Sequence, residues 1–109
     1  MRKSLTVLMV LVLAVVTGRA QESKVFSHVQ KTYQQALSLY NNKQYQAAQT
    51  LFESVLSTSK DKETKANSAY YIANAAVRLN QVGADRLMED FVDQYPTSPR
   101  RNSAFADVA

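Results

Sequence analysis

The chain has 109 residues, with 13 Lys+Arg, 9 Asp+Glu, one His, no Cys, two Gly and two Pro, which allows one small domain plus a targeting segment. Without cysteine there is no disulfide framework, thiolate metal site, cysteine nucleophile or lipid-modified cysteine, and the lone His28 excludes a multi-histidine metal site. So few glycines and prolines argue against a turn-rich all-β fold. Arg2, Lys3 and Arg19 stand in a first stretch that has no acid; taking those three from the 13 leaves 10 basic against 9 acidic residues. The apparent basicity therefore belongs to the leader, and it carries no expectation of nucleic-acid binding.

Residues 1–20 read as an export signal. Arg2 and Lys3 form a positive start, Leu5 to Val16 is apolar apart from Thr6, and Gly18-Arg19-Ala20 offers small residues before polar Gln21-Glu22. Cleavage is expected between Ala20 and Gln21. A helix of this apolar length spans about 18 Å, short of the roughly 30 Å of a bilayer core. A retained anchor is the alternative, leaving an inner-membrane protein with its helices outside. With cleavage, no stable membrane insertion is expected, and the chain is expected in an extracytoplasmic compartment, most simply a bacterial periplasm. Absence of cysteine argues against a lipoprotein.

The remainder predicts an all-α fold. A short lead-in, 21–28, precedes helix one over Val25 to Asn41, where Val29, Tyr33, Ala36, Leu37 and Tyr40 recur at helical spacing. Helix two spans Tyr45 to Thr58 and is expected to bury Tyr45, Ala48, Phe52, Val55 and Leu56, with Leu51 alongside. Asp61 is a good N-cap for helix three, Lys62 to Leu79, whose apolar face is rich in alanine and also holds Tyr70 and Ile72. Helix four, Ala84 to Tyr95, is expected to bury Ala84, Leu87, Met88, Phe91 and Tyr95, and Pro96 ends it. Ser98-Pro99 predicts the N-cap and first position of a fifth helix. Connections this short require antiparallel neighbours.

A repeat runs through these helices. Ala48, Phe52 and Leu56 are followed 36 residues later by Ala84, Met88 and Val92, and Ile72-Ala73 by Val108-Ala109. A period in this range marks stacked helix pairs. The segment ALSLYNNKQYQAAQTLFESVL, with Ala36, Leu39, Tyr45, Ala48 and Phe52, resembles the core of a tetratricopeptide repeat (TPR). A second copy carries Ile72, Ala73, Ala84, Met88, Phe91-Val92 and closing Pro96. Lys43 and Asn80 depart from that family, which favours glycine at these turn positions; Lys60 stands where it favours proline. The wording YPTSPRRNSAFADVA is similar to repeat junctions of bacterial envelope TPR proteins.

The resemblance implies an α-solenoid of stacked antiparallel helix pairs after the signal helix. Its units are repeat one at 29–62, repeat two at 63–98, and the first helix of a truncated third repeat at 99–109. Such an array needs three or more repeats, so the chain is expected to be the N-terminal part of a longer protein or a shortened reading frame. An ordinary four-helix bundle with accidental spacing is the alternative fold.

The resemblance also implies a scaffold or adaptor that binds a protein or peptide partner in a groove lined by the first helix of each pair. The expected groove residues are Gln34, Leu37 and Asn41, with Gln30 and Tyr33, and Asn67, Tyr71, Asn74 and Arg78, with Tyr70. Asn67, Tyr71, Asn74 and Arg78 are 4, 3 and 4 apart and share one helix face. Asparagine amides suit a peptide backbone, and Arg78 a carboxylate. The same spacing also suits an ordinary solvated face.

No cofactor, metal or catalysis is expected. His28 has no evident orienting partner. Glu89, Asp90 and Asp93 form an acidic cluster with no histidine nearby. Ser57, Thr58 and Ser59 have no base beside them, and Lys60, Lys62 and Lys65 are interleaved with Asp61 and Glu63. A small helical-bundle enzyme or inhibitor subunit is the alternative function.

Overall fold

The computed structural model describes residues 24–108, with side chains through 106. The expected signal segment, the Ala20–Gln21 cleavage site, and the packing of Val108 and Ala109 lie outside the described residues. Among the described residues five helices follow one another: α1 over residues 24–41, α2 Tyr45–Thr58, α3 Lys62–Arg78, α4 Ala84–Gln94 and α5 Arg101–Val108. No strand occurs among the described residues. Helix α1 already occupies most of the stretch expected as a lead-in.

The helices stop where the sequence supplies a stop signal, and two of the stops are the same motif. At the end of α1, Gln44 N–H donates to the Leu39 carbonyl (2.9 Å) and Lys43 N–H to the Tyr40 carbonyl (3.0 Å). At the end of α3, Gln81 N–H donates to Ala76 (3.0 Å) and Asn80 N–H to Val77 (3.1 Å). This paired pattern closes a helix through a residue in the left-handed region. Lys43 (φ 63°) and Asn80 (φ 53°) occupy it. The two positions that lack the expected glycine thus adopt the backbone that glycine would favour. Gly83, at φ 83°, then turns the chain into α4.

Asp61 starts α3 by accepting from the Thr64 N–H (3.0 Å), and the Thr64 hydroxyl donates to the same carboxylate oxygen (2.6 Å). Those bonds, the hydroxyl's first, hold the Asp61 carboxyl below the usual aspartate range. Helix α4 ends at Gln94, and Ser98 N–H donates to the Tyr95 carbonyl (3.1 Å) across a tight turn with Pro96 at its second position. Pro96, grouped with the repeat-packing residues by the resemblance, is exposed and sets this turn. Ser98 caps the turn that opens α5, its carbonyl accepting from Arg101 N–H (3.2 Å). Its hydroxyl accepts from Arg100 N–H (3.2 Å), and the first full helical bond is Ala104 N–H to the Arg100 carbonyl (3.0 Å).

Two apolar clusters alternate along the chain. One joins α1, α2 and α3 through Ala36, Ala48, Phe52 and Ile72. The other joins α3, α4 and α5 through Tyr70, Ala73, Met88, Phe91 and Ala104. Helix α3 belongs to both, which is why it buries residues around most of its circumference, including Ser68, Asn74 and Ala75. Its alanines let neighbours approach closely on both sides. Tyr45 is half-buried, its ring edge-on to Tyr40 at 5.4 Å. Leu87, expected in the core, is 41 % exposed, because α4 turns Ala84, Met88 and Phe91 toward α3 and leaves Leu87 outside that stripe.

The hairpins α1–α2 and α3–α4 are tied by rings and amides. Phe52 stacks on Tyr71 (4.9 Å, 13°) while Tyr33 meets Phe52 edge-on (5.9 Å). Gln49, buried on α2, donates to the Ile72 carbonyl (3.1 Å) and exchanges amide bonds with Gln81 in both directions (2.9 and 3.0 Å). Helix α3 packs against α2, α4 and α5, and α2 and α4 share no extended interface. The odd-numbered helices therefore form one layer, and the layer of even-numbered helices is splayed; the odd layer is the inner side.

Candidate functional site

The inner layer is built from α1, α3 and the start of α5. Helices α3 and α5 each begin after a short turn, and the odd helices present the same side because consecutive hairpins repeat the same packing. Tyr33 comes from the middle of α1, Asn67, Tyr70 and Tyr71 from α3, and Arg100 from the turn that opens α5.

Arg100 organises the group. Its Nε donates to Asn67 Oδ1 (3.0 Å), and its guanidinium lies 4.8 Å from the Tyr71 ring centre and 5.3 Å from that of Tyr70. Both separations fall within the range of cation–π attraction. Burial pushes the Tyr33 phenol above its ordinary range, reinforced by Tyr71 and Glu63; the Arg100 charge and a hydrogen bond with Asn67 pull the other way. Tyr33 is therefore a neutral hydroxyl at physiological pH. The result is a half-buried surface of aromatic faces, an amide and a cation. It offers flat apolar area, hydrogen bonding and positive charge in one place.

The residues expected on the groove divide into three groups. Asn67 and Tyr71 belong to this surface. Tyr71 is also a structural residue, stacked on Phe52 and edge-on to Tyr40 (4.8 Å). Asn74 is corrected: it is 2 % exposed, and its Oδ1 accepts from the Tyr40 hydroxyl, which reaches across from α1 and covers it. Its amide ties two helices instead of facing a partner. Gln34, Asn41 and Arg78 are exposed, and Leu37 is half-buried against the α1–α2–α3 cluster. Arg78 sits at the last turn of α3, about two helical turns beyond Tyr71 and outside the Arg100 group. The sequence reading missed Arg100. Placing Ser98-Pro99 at the start of α5 put Arg100 inside a helix, and no periodic pattern marks a side chain reaching back over the preceding repeat.

Elsewhere, two further hollows sit at equivalent places in successive repeats. One, about 510 Å³, lies between Val25, Phe26 and Val29 of α1 and the Thr58–Asp61 turn. The other, about 380 Å³, lies between the start of α3 and the Tyr95–Pro99 turn. His28, Glu89, Asp90 and Asp93 are exposed. Among the described residues, no group of three His, Asp or Glu is placed to hold a metal, and no helix is long and apolar enough to cross a membrane.

Antiparallel helix pairs that stack through shared clusters, with one layer left open, define an α-solenoid of repeats. The chain belongs to the tetratricopeptide repeat family: the family's repeat pattern matches residues 33–61 and 67–98, together more than half of the sequence. These two matches fall on the α1–α2 and α3–α4 hairpins. Members of this family generally serve as scaffolds that bind other proteins. Neither the curated proteins nor the solved structures contain a match to the chain.

Proposed function

We propose that the chain is an exported, non-catalytic adaptor that takes a protein segment on the inner face of its helix ladder, in the periplasm of a bacterium and in the service of envelope assembly. The observation that carries this reading is the surface of Tyr33, Asn67, Tyr71 and Arg100, where α1, α3 and the turn that opens α5 bring aromatic, amide and cationic groups together. Tyrosine supplies large contact area with little loss of side-chain freedom, and arginine and tyrosine are the residues that most often anchor protein interfaces. Export rests on the charge and apolar pattern of residues 1–20.

A photo-crosslinking residue placed singly at Gln34 or Asn67 on the inner layer, and at Glu53 or Asp90 on the outer helices, tests the surface in cells. Adducts of defined mass from the inner positions alone support it; equal adducts from the outer positions remove it. The mass of the chain recovered from the envelope tests export: a start at Gln21 supports it, and a start at Met1 in the cytoplasm contradicts it.

A further inference from the structure

General capture of a protein segment does not require a cation fixed in advance, and this surface has one. The Arg100 guanidinium is clamped before any partner arrives: Tyr71 and Tyr70 hold its face at 4.8 and 5.3 Å, and Asn67 holds its Nε at 3.0 Å. Much of the side-chain freedom that an arginine loses on binding is already lost. Asn67 takes only the Nε–H. The edge formed by the two terminal nitrogens keeps its donors, and no Asp or Glu among the described residues forms an ion pair with it. Arg101 is engaged elsewhere, over the Phe105 ring at 5.3 Å, and Arg78 ends α3 about two turns beyond Tyr71. One oriented cation therefore faces the inner surface, with the Glu63 carboxylate near enough to act on the same Tyr33 hydroxyl but not paired with the guanidinium.

The complement of that edge is a planar acceptor with two oxygens, and in a protein segment this is a carboxylate. The neutral Tyr33 hydroxyl, hydrogen-bonded to Asn67 and near enough to feel the Arg100 charge, adds a second polar group to the site. The site lies where the layer passes from α3 to α5, so a segment crossing the odd helices runs over it and continues beyond it. A side-chain carboxylate fits that path, since the segment need not end there.

We infer that the inner face selects an extended acidic segment, with Arg100 receiving an Asp or Glu side chain of the partner between Tyr33 and Tyr71. This rests on the reading that the inner face takes a protein segment. The test begins with selection of random peptides displayed as N-terminal fusions on phage, which present no free C-terminus, against the purified chain. The expected result is a set of binders sharing an acidic residue at one position, flanked by apolar or aromatic residues. A synthetic, C-terminally amidated copy of one binder should keep its affinity. Replacing its acidic residue by the amide should weaken it about tenfold, the scale of one charge-assisted hydrogen-bonded pair. Arg100→Gln should weaken the acidic peptide equally and make it indifferent to that replacement. Arg100→Lys, keeping the charge and losing the flat fork, should fall between.

Binders without a shared acidic position, or an acid-to-amide loss unchanged on Arg100→Gln, overturn the inference and leave the inner-face reading standing. Loss of binding on amidation alone moves the ligand to a chain terminus and also overturns it. Recovery of no binders, or binders that compete with none of the inner-face positions, overturns both. The amide-for-acid peptide on the unaltered chain reports even where an Arg100 variant is poorly folded.

Discussion

Lys43→Gly is expected to stabilise the fold although it removes a side chain. Lys43 sits at φ 63° as the closing residue of α1, its side chain is exposed, and the hydrogen bonds of the turn all involve backbone atoms. A β-carbon in the left-handed region costs about 1–2 kcal/mol. Glycine abolishes that cost but loosens the unfolded chain, which returns about 0.4–1 kcal/mol. The balance is a gain of about 0.5–1 kcal/mol, which for a domain of this size raises Tm by about 2–8 °C. Asn80→Gly probes the same motif at φ 53°. Asparagine tolerates this region better than lysine does, so the gain there is expected to be smaller than at Lys43. Gly83→Ala reverses the sign: at φ 83° alanine is strained, by about 1 kcal/mol, although nothing lies within 4 Å of its added carbon. Thermal melts followed by far-ultraviolet circular dichroism order the three variants. Lys43→Gly melting at or below the parent, with Gly83→Ala unchanged, would refute the reasoning, because neither residue would then be left-handed.

Other consequences follow from single contacts. Ser68 Oγ is buried without a hydrogen-bond partner, so Ser68→Ala is expected to raise stability by about 1 kcal/mol, through the removed hydroxyl and better helix propensity; a lower melt would mean that the hydroxyl is satisfied. Gln49→Ala removes the amide exchange with Gln81 and the bond to Ile72, at an expected cost of about 1–2 kcal/mol. In a double-mutant cycle it should couple to Gln81→Ala, and simple additivity would deny the pair. Asp61→Ala is expected to cost about 1 kcal/mol as a lost cap. The folded Asp61 carboxyl titrates below its unfolded value, so the cap's contribution is complete above the ordinary carboxylate range and is lost as pH falls through the folded value. Asp61→Asn, which caps without titrating, should melt with less acid dependence than the parent; identical pH profiles would remove the carboxylate from the account.

The sequence was most readable where one residue does one job. The apolar spacing of Ala48, Phe52 and Val55 has a single solution on a helix, and all three are buried. The 36-residue recurrence placed Ala84 and Met88 in the matching role, and both are buried too. It was least readable where a residue serves two neighbours. Helix α3 is covered on both sides, so Asn74 looks like a surface amide by its spacing yet is spent on Tyr40. Gln49 reads as a polar face residue and is buried for the same reason: a second hairpin stands against it. Such burial is set by the neighbouring repeat, which no single helix pattern encodes. Arg100 escaped for a related reason, since its place depends on a turn that displaces α5 to Arg101 and sends the side chain back across α3. The turn positions Lys43 and Asn80 looked like departures from the repeat, but their backbones follow it.

Ring-to-ring nuclear Overhauser contacts in the folded chain test the stacking of the two hairpins most directly. The Phe52 ring should show contacts to Tyr71, 4.9 Å away in the next hairpin, as well as to Tyr33, 5.9 Å away in its own, and Tyr70 should contact Phe91 at 5.6 Å. Contacts from Phe52 to Tyr33 without any to Tyr71 would mean that the hairpins fold without stacking, and the inner face would not exist.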